Sequence, residues 1–147
     1  MFAEAGAELR AVRKQERTRP EVRSVRVDLH LAAREWRRVV AVARPLARAH
    51  PDCENAWIGW AFALRELQRV RQARAVLLEA EQQHGLGAAI LHYNLACYES
   101  LLGDLPAARQ RLAMACRLER RFKIEAENDP DLEALRRADG GRRARRG

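Results

Sequence analysis

Apolar residues recur at helical spacing along most of this chain. From Leu91 to Arg120, Leu91, Leu95, Tyr98 and Leu102 fall on one stripe, and Leu105, Ala108, Leu112, Ala115 and Leu118 fall on a second. Gly103-Asp104 lies between the two stripes. Glycine can end a helix in the left-handed conformation without a Cβ clash, and Asp104 can cap the next helix. Pro106 falls in the first turn, where its missing N–H costs little. The pattern predicts two amphipathic helices joined by a tight turn.

Similar pairs precede it. Residues 35–49 put Trp36, Val39, Val40, Ala43 and Leu46 inward, and Pro45 should kink or split that helix near Ala41–Arg44. Residues 53–67 carry Trp57, Trp60, Ala61 and Leu64 on one face, with Asp52 as the expected cap. Residues 70–83 follow through Val70, Ala73, Leu77 and Ala80, and Gly85 is a C-cap candidate. Residues 21–33 fit a helix through Val22, Val25, Leu29 and Ala32, and equally a strand through Val25, Val27, Leu29 and Leu31. A lone strand has no partner in a helical chain, so the helix is preferred. Near the end, Asp129-Pro130 reads as a helix start, with Leu132 and Leu135 on one side and Glu133, Arg136 and Arg137 toward water.

One helical pair cannot bury its stripe alone, so such pairs are expected to stack. On Asn94, Leu95, Ala96, Gly103, Asp104, Ala108 and Ala115, the stretch resembles a tetratricopeptide repeat, a helix–turn–helix unit of about 34 residues. Equivalent units begin at Glu54, with Trp57 on the family's tryptophan position, and at Pro20, with Trp36 after the turn and Pro51 closing the unit. Gln68 stands where the middle unit should have its turn glycine, and Val39 stands at a small position of the first unit. The Asp-Pro-Asp-Leu segment looks like the end segment of some small bacterial three-repeat proteins of this family. The resemblance implies an all-α right-handed solenoid: repeats over 20–53, 54–88 and 89–122, then a capping helix over 129–137. Residues 1–19 are expected to be a flexible basic arm, and residues 138–147 an arginine-rich tail without fixed structure.

The net charge of +8 changes little. Residues 1–20 contribute +2, residues 138–147 contribute +3, and the mixed-charge middle contributes +3. A basic chain is attracted to polyanions, so nucleic-acid or acidic-partner binding through the arginine-rich ends is the alternative function. The tail carries no aromatic residue for stacking on bases, which weighs against it. No apolar run is long enough for a membrane span, and the start of the chain lacks the apolar block of a secretory signal, so a cytoplasmic location is expected. Cys53, Cys97 and Cys116 form no CxxC spacing, and Cys97 and Cys116 read as small buried hydrophobes.

Chemistry is sparse. His30, His50, His84 and His92 form no metal-ligand motif, no glycine-rich phosphate loop follows a strand, and no nucleophile–base set shares a face. No enzyme, metal site or cofactor is expected. By the resemblance, the first helix of each pair lines a concave face. That face would carry Asn55, Ile58, Phe62 and Arg65, then Ile90, Tyr93, Asn94 and Cys97, with Asp28 and Leu31 from the first unit. Such a groove would take a peptide or partner domain, one with an acidic or amide group opposite Arg65 and Asn94. The competing reading is that Ile58, Phe62 and Ile90 only pack on neighbouring helices. Asn94 reads as a helix-to-helix hydrogen bonder: Ile58, Phe62 and Cys97 stand where a carboxylate clamp of this family needs other residues. The expected function is non-catalytic protein–protein interaction. A small secretion or assembly chaperone is a further alternative, and self-association is open.

Overall fold

The computed structural model describes residues 19–146, which form eight α-helices and one 3₁₀ turn, with no strand among them. The helices are α1 (Pro20–Ala32), α2 (Trp36–Ala49), α3 (Glu54–Glu66), α4 (Val70–His84), α5 (Ala89–Leu101), α6 (Leu105–Leu118), α7 (Arg121–Asn128) and α8 (Glu133–Arg146), with the 3₁₀ turn at Pro130–Leu132 before α8. Each helix from α1 to α6 packs on the next. Helices α1, α3 and α5 also touch one another in that order, and the 3₁₀ turn and α8 lie against α5. The arm expected over residues 1–19 lies outside the described residues, apart from Arg19.

Three pairs are closed by one kind of turn. Arg34, Gln68 and Gly103 have φ of 57°, 65° and 87°. The N–H of the residue after each reaches back to a carbonyl five residues earlier: Glu35 to His30, Arg69 to Leu64, Asp104 to Glu99, at 2.8–2.9 Å. This is the Schellman arrangement, which satisfies carbonyls orphaned at a helix end. Gln68 therefore takes the left-handed conformation that glycine would take more cheaply.

α5 is the centre of the molecule. Eleven of its residues are buried, including His92, Asn94, Glu99 and Ser100. Its own Leu91 and Leu95 are fully buried, as are Trp57, Leu77, Phe122 and Leu132 from other elements of the same core. Trp57 stacks on Trp60 at 5.7 Å and donates its indole N–H to the Pro51 carbonyl at 2.9 Å. The stripe on α1 differs from expectation. Val27 is buried, while Val25 and Leu29 are 56% and 63% exposed. The reason is a close approach to α3: a Cβ on Gly59 would lie 2.7 Å from Val27 Cγ1, so α1 seats Val27 where α3 has no side chain.

Five local expectations change. Pro45 does not split α2, which runs unbroken with Pro45 on its exposed side, where water can take the freed carbonyl. Asp52 does not cap α3: the N-cap position is Cys53, with no side-chain cap. A helix not read from the pattern, α7, fills the interval before the 3₁₀ turn and buries Phe122 and Ala126. The tail expected to lack structure continues α8 as far as Arg146. Asp139 anchors that continuation by accepting from Arg109 at 2.6 and 3.0 Å. Arg136 does not face water either. It donates to the carbonyls of Ala126 and Asp129 at 2.8 and 2.7 Å, satisfying the end of α7 and the turn after it. No described helix is long and apolar enough to cross a membrane.

Candidate functional site

Phe62, Arg65 and Glu66 occupy positions i, i+3 and i+4 of α3 and so share a face. On α5, Tyr93 and Cys97 are four residues apart, as are Asn94 and Tyr98, so these two neighbouring rows form one face. Between the two helices lies a cleft of about 440 Å³, closed at one end by Asp129, Pro130 and Asp131. The closing segment is shaped locally. The Asp129 carboxylate accepts the Asp131 N–H at 3.0 Å, and Pro130, with no N–H to satisfy, begins the 3₁₀ turn. Leu132 is then driven into the core and Asp131 faces α3.

Two contacts fasten this segment. Arg65 donates Nε to Asp131 Oδ2 at 2.9 Å and Nη2 to Asp131 Oδ1 at 2.5 Å. The paired geometry is the strong bidentate form, and the Asp131 bond raises the already high guanidinium pKa. Tyr93 donates its hydroxyl to Asp129 Oδ2 at 2.7 Å and stacks on Phe122 at 4.6 Å. Burial, with that hydrogen bond, pushes the Tyr93 hydroxyl pKa well up. Cys97 Sγ lies 3.7 Å from the same Asp129 oxygen, and burial beside the carboxylates keeps it a thiol.

Of the eight groove residues expected from the sequence, five line this cleft: Phe62, Arg65, Tyr93, Asn94 and Cys97. Asn55 does not. Its Nδ2 donates to Ser24 Oγ at 2.8 Å and to Asp28 Oδ1 at 3.0 Å, tying α3 to α1. Ile58 and Ile90 are partly buried against the core, as is Leu31. The packing reading holds for the two isoleucines. Phe62 packs too, its ring tilted against Trp36 at 5.8 Å, yet it stays 39% exposed.

Asn94 does not act as a helix-to-helix hydrogen bonder through its amide N–H. It is 8% exposed, and its Nδ2 has no partner among the described residues. Tyr98, 2% exposed on the next turn, also leaves its hydroxyl unpartnered. Buried polar groups are normally hydrogen-bonded, so two orphans bordering one cleft mark it out. Glu66, Tyr98, Asp129 and Asp131 went unread as lining residues. For the two aspartates, the Asp-Pro-Asp-Leu motif is itself the available signal.

The Cys97 thiol and the Asp129 and Asp131 carboxylates present atoms within 4.8 Å of one another. Their lone pairs are already engaged by Arg65, Tyr93 and the Asp131 N–H, and a guanidinium stands beside them. The set reads as a hydrogen-bonded lock on the closing segment.

No family model matches the chain, and neither a curated protein nor a solved structure matches it.

Proposed function

We propose that the protein is a non-catalytic protein–protein interaction module that holds a peptide segment in the cleft between α3 and α5. The observation that carries this reading is the cleft itself. It is open, it has an exposed aromatic ring at Phe62, and it is bordered by two buried hydrogen-bonding groups that the described residues leave unused. Exposed apolar surface beside unsatisfied polar groups is what a ligand with both apolar and backbone polar groups would complete. The recurrence of one turn at Arg34, Gln68 and Gly103 supports a tetratricopeptide-like solenoid, whose stacked pairs offer such a surface.

A partner recovered with the purified protein supplies the test. Phe62→Ala should weaken that partner's affinity at least about fivefold, the effect of losing about 1 kcal/mol at an aromatic contact. An unchanged affinity would remove the cleft from the interaction.

A further inference from the structure

The charges around the cleft point to the kind of peptide it takes. Arg65 is the one cation among the lining residues, against three carboxylates, on Glu66, Asp129 and Asp131. Arg65 spends its Nε/Nη2 edge on Asp131, which counters its charge. Where the sequence led to an acidic or amide group opposite Arg65 and Asn94, the surplus of carboxylates in the lining favours a cation. Glu66 is only partly buried and has no ion-pair partner among the described residues. In a chain of net charge +8, this cleft is a local acidic site.

Resting on the peptide-binding reading above, we infer that the cleft selects an extended segment bearing an arginine or lysine side chain. The cationic head sits against Glu66, the lining carboxylate that the closing lock does not engage. A backbone carbonyl beside it accepts from Asn94 Nδ2 and the Tyr98 hydroxyl once a side-chain rotation brings these buried atoms to the cleft surface. Those two groups need an oxygen acceptor, and an extended peptide offers one at every residue. The exposed Phe62 ring gives the aliphatic stem an apolar wall, and gives a guanidinium a face to stack on. A glutamate side chain would instead meet a lining with two more carboxylates than cations.

The test uses the full chain with three blocked alanine pentapeptides whose central residue is arginine, glutamine or glutamate. Binding is followed by chemical shifts of the Asn94 side-chain amide and the Phe62 backbone amide. The arginine peptide should move both signals and bind tightest, and the glutamate peptide should bind weakest. Glu66→Gln, a change at a partly exposed position, should weaken the arginine peptide about fivefold and leave the glutamine peptide unchanged. Equal binding of all three peptides at Asn94, or preference for glutamate, would overturn the cationic inference and leave the peptide reading standing. Binding of the arginine peptide that ignores Glu66→Gln would overturn it too. If no peptide moves the Asn94 or Phe62 signal, both readings fall.

Discussion

Gln68 and Arg34 hold a backbone conformation that L residues enter at a cost of about 1–2 kcal/mol. Both are exposed; Arg34 sets its guanidinium over the Trp36 ring at 5.9 Å, and Gln68 has no such contact among the described residues. Gln68→Gly should therefore stabilise the fold by about 0.5–1 kcal/mol once glycine's greater freedom in the unfolded chain is counted. The measurement is the urea midpoint at unchanged slope. His92 makes a second prediction at this scale. It is buried, its Nδ1 sits 3.0 Å from Arg111 Nη1, and Arg111 also pairs with Glu81. Burial and Arg111 together lower the His92 pKa below its ordinary 6.5, against the opposing pull of Glu81 and the Gly87 backbone. The folded state thus resists taking the proton that the unfolded state accepts. Stability is complete above pH 6.5 and falls as pH drops below it, with a slope of at most about 1.4 kcal/mol per unit. The Arg111 hydrogen bond lowers the Glu81 pKa from 4.5, so a further loss begins only below that pH. His92→Gln should flatten the first limb and leave the second, as read from denaturant midpoints across pH 4–7.

At the scale of elements, α1 meets α3 through the missing side chain of Gly59. Gly59→Ala would improve helix propensity by about 1 kcal/mol but press a methyl to 2.7 Å from the stiff, fully buried Val27. Overpacking costs of about 1–3 kcal/mol should win, giving a net loss that a thermal melt would show. Gly59→Ala combined with Val27→Ala should recover part of it. The closing turn is the other junction. Leu132→Ala should cost about 2–5 kcal/mol, because the side chain is fully buried beneath α5. Asp131→Ala should cost less, about 1–2 kcal/mol, since its ion pair with Arg65 is partly open to solvent. It should also free Arg65, so that the cleft admits the glutamate peptide better than before.

Across the whole molecule, what could be read from sequence follows contact range. The helical pairs were legible because each helix carries its own stripe, such as Trp57, Ala61 and Leu64 on α3 or Leu91, Leu95 and Tyr98 on α5, and Gly85 and Gly103 mark helix ends locally. The cleft was half legible. Phe62, Arg65, Tyr93, Asn94 and Cys97 follow from helix phase, but phase says nothing of what folds back against them. The Arg65–Asp131 pair spans 66 residues and the Tyr93–Asp129 bond spans 36, so no local pattern revealed that the closing segment takes up the arginine. Helix α7 was missed because its buried positions, Phe122 and Ala126, make one short contact row without a full stripe. The helical tail was missed because the anchor at Asp139 lies on α6, through Arg109.

The central claim is that ligands meet this protein in the cleft between α3 and α5. The most direct test places a photocrosslinking residue at position 62, in the cleft, or at position 117, exposed on α6 and away from it. After irradiation in native lysate, adducts are analysed for protein and for nucleic acid. The account predicts a discrete protein adduct from position 62 and none from position 117. Equal adducts from both positions, or nucleic acid alone, would contradict it.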